Sequence, residues 1–406
     1  MQSTLLLELR MQFCSSIIVV KDSSEVKRVS HKQAILIGDH HGGHSQYCSH
    51  SKAKLGEYVT LMQQLLREEQ LIDTVLSENL VVFSVTEHAP RPCKNSITLT
   101  AEGTIVQQKN PSGTPLPIEV PKHLLEEAGS LNLLGETFLS YPDDLIINTA
   151  GTQVEIPFDN LFFPDYYDEI LEHQKGNPWL SRGMEIDFWG ENLQLCFEQY
   201  REFFTVLENK KLPLPERVIV SVHFLRERNS ETFFCHDFSR AESGRGAGRD
   251  LDFLFSSYWR SVRKSIGLAQ RIEEMFSISS TIGHLDLIKK YFPEEHSAWL
   301  AEDTNRKQVQ AVLEELVASN ISWEINTAGL GKPCKAPYPS FDLIDYAQQI
   351  AGNAPLFLTI GSDNHKPEDI FAYYGEAIGK LKEIGIRSLL SFQRRDGKIC
   401  DRWVEL

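Results

Sequence analysis

The chain has 406 residues, 41% hydrophobic and 24% charged, the make-up of a folded globular protein with enough apolar material for a large core. Its formal net charge of −15 excludes the basic surface of a general nucleic-acid binder, without excluding a small anionic substrate. Seven dispersed cysteines with no CxxC pair argue against a zinc ribbon and suit a reducing compartment.

In the opening MQSTLLLELRMQFCSSIIVV, Glu8 and Arg10 interrupt the apolar pieces. Neither a signal peptide nor a membrane span is expected, so residues 1–33 read as an N-terminal extension of a cytoplasmic protein. The first strand is ILIGDHH, closing at His41. LGEYVTLMQQLLREEQLI (55–72) has apolar residues at helical spacing, and VVFSVTEH follows as a strand ending at His88. From about 91 to 160 the rhythm breaks. SITLTAEGTIVQQ and TQVEIPF read as strands among Pro and Gly clusters, which makes this segment an insertion.

The alternation then resumes. Helix PDYYDEILEHQ precedes strand RGMEIDF, which carries Glu185 and Asp187; helix ENLQLCFEQYREFFTVLEN precedes VIVSVHF, with His223. ERNSETFFCHDFSRAESGRGAGRD reads as a mobile glycine-rich loop over a site. After it come helix SSYWRSVRKSIGLAQRIEEMF, strand STIGHLDL with His284, helix RKQVQAVLEELVAS and strand SWEIN with Glu324. Helix FDLIDYAQQIA, strand LFLTIGSDNH with Asp363 and His365, and helix IFAYYGEAIGKLKEIG complete the series. Strands separated by helices imply parallel pairing, and closure into a barrel would place every strand's C-terminal end on one rim. The expectation is a single α/β domain over 34–406, a seven-stranded (β/α) barrel interrupted by the 91–160 insertion.

Histidines and carboxylates therefore gather on one edge. Imidazole is the commonest metal ligand and carboxylates supply the charge that divalent cations need, so the rim reads as a metal site. The blocks DHHGGHSQYCSH, TEHAP, GMEIDF, SVHF, IGHLDLIKKYF, EINTAG and GSDNHKPEDI, in that order, closely resemble those of the polymerase and histidinol phosphatase (PHP) superfamily, in its histidinol-phosphatase branch. The resemblance leaves out the N-terminal extension and the insertion. It implies three divalent ions, zinc, manganese or iron. By position, His41, His44, Glu185 and Asp363 would hold one, Glu185 would bridge to a second held by His223 and His284, and His50, His88 and His365 would hold the third.

One block departs from the family pattern Asp-x-His-x-His, in which a spacing of two puts both imidazoles on one strand face. Here His41 and His44 are three apart. A β-bulge at Gly42 and Gly43 would restore the direction, with His40 as the alternative ligand if the bulge turns differently. Asp187 and Glu87 neighbour ligands and are candidates to orient imidazoles, with a plain surface or capping role equally open; Glu324 and Asn326 read as structural or supporting. Lys332, Lys366 and, on the glycine-rich loop, Arg240, Arg245 and Arg249 are candidate phosphate contacts, each with a solvated role as the alternative.

The resemblance implies hydrolysis of L-histidinol phosphate in histidine biosynthesis, with Glu185 and Asp363 acting through water activated by the metals. The rival readings are a related phosphoesterase acting on phosphotyrosine or a nucleotide phosphate, and a degenerate barrel that binds without catalysis, suggested by the altered histidine pair. The expected partner is a small phosphorylated substrate, with neither nucleic acid nor membrane; oligomeric state is left open.

Overall fold

The computed structural model describes residues 31–44, 54–88, 164–189, 192–209, 211–226, 233–236, 239–248 and 250–406, together with short strands between 95 and 156. Strands β1 (Asp39–Gly43), β2 (Phe83–His88), β3 (Leu180–Asp187), β4 (Arg217–Ser221), β5 (Ser279–Ile282), β6 (Ser322–Asn326) and β7 (Leu358–Gly361) form one seven-stranded sheet in sequence order. Every adjacent pair is parallel. β3, β4, β6 and β7 are buried at every position, as strands are when helices cover them outside and their own side chains fill the inside. The expected α/β barrel is the observed one.

The helices pack on the barrel by amphipathic spacing. In the helix Leu251–Phe276, Leu254, Tyr258, Val262, Ile266, Ala269 and Ile272 are buried along one stripe. Asp250 starts that helix by accepting the Phe253 N–H at 3.0 Å, and Ser277, at φ +55°, ends it. Among the described residues no helix is long and apolar enough to cross a membrane. Between residues 95 and 156 the backbone forms an antiparallel four-stranded sheet over Asn95–Leu99, Thr104–Gln108, Leu116–Glu119 and Thr137–Ser140, and a hairpin over Leu145–Thr149 and Thr152–Ile156.

Several elements differ from the sequence expectation. ILIG does not open the first strand: His31–Ile37 is helical, and Gly38, at φ +90°, turns the chain into β1. The turn demands glycine, since a Cβ there would lie 2.7 Å from His40 Cε1. The helix expected over 55–72 stops at Glu68, and a second helix runs Ile72–Ser77. VVFSVTEH is broken at Val82, with Leu80–Val81 joining a separate small sheet. The loop expected from Glu227 to Asp250 contains the strand Phe233–Cys235, paired with Phe224–Arg226, and the helix Arg240–Gly246.

The C-terminal hairpin, β8 (Ser388–Arg395) with β9 (Lys398–Glu405), pairs with Leu80–Val81 at the N-terminal end of the barrel. It brings Phe392 beneath the buried Arg217, whose guanidinium carbon lies 3.7 Å from the ring centroid. The opposite, C-terminal end carries His41, His44, Glu185, Asp187, His223, His284, Glu324, Asp363 and His365.

Closure between β7 and β1 is irregular. The backbone contributes Asp363 N–H to His41 O at 2.6 Å and His44 N–H to Asn364 O at 3.0 Å. The buried Asp39 carboxylate supplies the rest, accepting from Ser362 N at 2.9 Å, Ser362 Oγ at 2.5 Å and Phe371 N at 3.3 Å. On its other side β1 bulges: Asp39 pairs with Phe83 but Gly43 with Val85, so four steps on β1 answer two on β2. The bulge is thus one residue larger than the single extra residue expected. A Cβ on Gly42 would meet the Phe83 ring at 2.4 Å and Ser84 O at 2.9 Å. Gly42→Ala is therefore expected to lower stability by about 1–3 kcal/mol, the usual cost of overpacking; an unchanged denaturant midpoint and slope would contradict this account of the bulge.

Candidate metal centre

The bulge aims His41 and His44 at the same acids. His41 Nδ1 donates to Glu324 Oε1 at 2.8 Å, and since an ionised carboxylate only accepts, the proton sits on Nδ1 and Nε2 is left to face inward. Among the described residues that Nε2 has no hydrogen-bond partner, although it is buried. It lies 3.7 Å from Asp363 Oδ1 and 3.8 Å from Glu185 Oε2. His44 Nε2 converges on the same oxygens, at 3.1 Å from Asp363 Oδ1 and 3.8 Å from Glu185 Oε2. His40 points away: its Nε2 donates to Ile37 O at 2.9 Å and its ring meets Phe392 edge-on. Of the two alternatives for the first histidine, the geometry brings His41 to the acids.

The other oxygen of Glu185 faces a second pair. Oε1 is 2.9 Å from His284 Nε2 and 3.5 Å from His223 Nε2. Asp187 Oδ1 accepts from His223 Nδ1 at 2.6 Å, which turns Nε2 toward Glu185 as Glu324 does for His41. Ser221, two residues before His223, donates to Glu185 Oε1 at 2.5 Å. His284 and Asp363 both have positive φ, +22° and +46°, a conformation that costs about 1–3 kcal/mol and is held here by the surrounding contacts. Tyr258 Oη steadies the first of these, lying 3.2 Å from His284 O and donating to Leu285 O at 2.9 Å while accepting from Leu287 N at 3.1 Å.

Ligands about 2.0–2.2 Å from one tetrahedral ion stand roughly 3.4 Å apart. The spacings here cluster around that value, and His41, His44 and Asp363, like Glu185, His223 and His284, form groups that could hold a metal ion. The donor set fits divalent cations. Of the expected third set, His365 stacks on His44 with ring centroids 4.6 Å apart. His50 and the side chains of His88 and Glu87 lie outside the described residues.

Lys332 and Lys366 are exposed. Arg240 is not available as an anion clamp, because its guanidinium is engaged by Glu295 and the carbonyl of Tyr291. Arg249 and the side chain of Arg245 lie outside the described residues. Sequence reading overlooked Ser221 and Tyr258. Ser221 had a signal, since residues two apart on a strand share a face with His223. Tyr258 had none: its contact reaches across 26 residues from one element to another.

Charge balance inside the cluster is tight. Burial alone would lower the His41 pKa, but Glu324, Asp363 and Glu185 outweigh it and raise it to about 10. Burial likewise pushes Asp363 up, and His41 and His44 overcome it to hold that carboxyl well below its usual range. Burial lowers His365 to about 4.

No family model matches the chain. It is similar to the histidinol-phosphatase of Bacillus subtilis, 24% identical over 213 residues that cover 50% of this chain and 70% of that protein. It is also similar to a Deinococcus radiodurans protein named "Probable histidinol-phosphatase", 27% identical over 147 residues, 36% of this chain and 48% of that protein. The match to the Deinococcus protein thus spans about half of that protein's length. The crystal structure of a candidate histidinol phosphatase from Listeria monocytogenes shares the fold, with a TM-score of 0.52 and 20% identity over 84% of this chain and 98% of that one.

A protonated His41 cannot ligate. With its pKa raised to about 10, His41 carries a proton at neutral pH, and a metal entering its group must displace it. Metal affinity at that group is expected to climb about tenfold per pH unit between pH 6 and 8, with close to one proton released there. Calorimetry in buffers of different ionisation enthalpy counts those protons; a count of zero would contradict the assignment.

Proposed function

We propose that the chain is a metal-dependent phosphomonoester hydrolase of the PHP superfamily that converts L-histidinol phosphate and water to L-histidinol and phosphate. The carrying observation is the Glu185 carboxylate, with Oε2 toward His41 and His44 and Oε1 toward His223 and His284. A carboxylate shared in this way could serve two cations at once, and the two together could take one phosphate group. When bound, divalent cations supply Lewis acidity to the phosphoryl oxygens and acidify the water that attacks phosphorus in line.

The chain's own residues determine where that charge sits. His41, His44 and Asp363 with one oxygen of Glu185 would form the first position, and His223 and His284 with the other oxygen the second. His50, His88 and His365 are proposed for a third ion, and zinc, manganese or iron suits the donors equally. Glu324 and Asp187 hold the His41 and His223 rings by Nδ1, so each Nε2 already faces the acids before a ligand arrives. Burial of His41, His44, His223 and His284 excludes bulk water, whereas the side chain of Asp363, 22% exposed, marks the open side. Lys332, whose charge acts on His365, and Lys366, the residue after His365, are proposed to offer positive charge to an incoming phosphate.

The leaving group is argued from the block resemblance and from relatives named histidinol-phosphatase. The ground for a degenerate barrel was the His-x-x-His spacing, and the bulge removes it by turning both imidazoles to the same acids.

Glu185→Gln and His284→Ala are each expected to lose more than about 100-fold in phosphatase activity, beyond the ~10–100-fold typical of an outer partner, and to retain less metal. Circular dichroism should remain close to wild type. Full activity in either variant would contradict the ligand assignment. In a panel of phosphoesters, histidinol phosphate turning over no faster than phosphotyrosine or nucleotide monophosphates would overturn the substrate.

A further inference from the structure

Glu324 serves both donor groups at once. Its Oε1 accepts from His41 Nδ1 at 2.8 Å in the first group, and its Oε2 accepts from the backbone N–H of His284 at 2.9 Å in the second. Asn326 extends the same support, with Nδ2 3.0 Å from Asp363 Oδ2 and 3.4 Å from Glu324 Oε2. The space around this carboxylate is specific to it. A Cβ on Gly361 would lie 2.5 Å from Glu324 Oε1 and 2.5 Å from His41 Cβ, so the neighbouring strand has no room to spare. Asp187, by comparison, supports the second group through His223 Nδ1.

A carboxylate that fixes a side-chain ligand with one oxygen and the backbone of another ligand with the other makes their geometries interdependent. The dependence is greatest at His284, whose φ of +22° is unfavourable unless its N–H is held. We propose that Glu324 is a positioning residue that couples the two donor groups, so that metal uptake at both depends on it. This rests on the metal-holding reading of the site given above.

The test compares stepwise Zn2+ binding to wild type, Glu324→Gln and Asp187→Asn, each stripped by chelator and titrated in a metal buffer, with retained zinc counted by atomic emission. Gln at 324 keeps the volume but cannot accept at both ends. It is expected to weaken two binding steps, each by about 10–100-fold, whereas Asp187→Asn weakens one. Wild-type steps in Glu324→Gln, or one weakened step, would overturn the coupling while leaving the metal reading intact. Two weakened steps in Asp187→Asn would also overturn it, by placing the coupling in the shared Glu185. A wild-type chain that takes up no zinc would remove the metal reading and the proposal with it. Circular dichroism of the metal-free proteins checks folding, and if Glu324→Gln is unfolded, Glu324→Asp is titrated in its place. Asp is one methylene too short to reach both partners, and the same two steps should weaken.

Discussion

His41 and His44 meet Asp363 because β1 and β7 are joined through a buried aspartate instead of a regular ladder. A continuous ladder would fix the two strand ends by backbone pairing alone and leave no freedom to bulge. Here the Asp39 carboxylate takes the N–H and hydroxyl of Ser362 and the N–H of Phe371, while two backbone hydrogen bonds secure His41 O and His44 N. The bulge is therefore anchored at both ends, which allows a His-x-x-His spacing to do what His-x-His does on a plain strand. The cost is two glycines: a side chain at Gly42 or Gly43 would run into Phe83 or Tyr58.

Buried charge is the second constraint. Glu185, Asp187 and Glu324 lie within the mouth of the barrel, where an unpaired carboxylate costs several kcal/mol. Each has a hydrogen-bond donor: Ser221 for Glu185, His223 for Asp187, and both His41 and the His284 N–H for Glu324. In the metal-free chain the His41 proton provides part of the balancing charge. In the loaded state proposed above, cations replace such protons, and this exchange makes metal binding and protonation alternatives at one place. At the opposite end Arg217 is buried, donating to His40 O and Thr281 Oγ1, with its guanidinium on the Phe392 ring.

The parts legible in the sequence follow from periodicity and local chemistry. Parallel strands separated by helices, each ending in a histidine or an acid, gave the barrel and the rim, because side-chain direction at a strand end depends on a few neighbouring residues. The bulge was legible for the same reason, since the glycines lie between the histidines they reorient. His31–Ile37 was not: HKQAILI is apolar enough for a strand, and packing turned it into a helix. The terminal hairpin was also missed, because what fixes it is Phe392 under Arg217 and Arg394 paired with Glu216, contacts to residues distant in sequence. Arg240 shows the limit most plainly. A glycine-rich context suggested an anion clamp, while its partner Glu295 lies 55 residues away.

His40 and His41 are consecutive, yet they belong to opposite ends of the barrel. His40 packs against Phe392 of the hairpin that closes the N-terminal end, and His41 joins the acids at the mouth. A one-residue slip of β1 would carry His41 to the place His40 now holds, over an aromatic ring and away from the acids. Sterics at two glycines oppose that slip. Gly38 leaves room for the His40 ring, and Gly361 on β7 leaves room for the Cβ of His41 beside Glu324 Oε1. Register on this strand is therefore set from both ends at once, so the hairpin at the floor and the cluster at the mouth are connected through a single peptide unit.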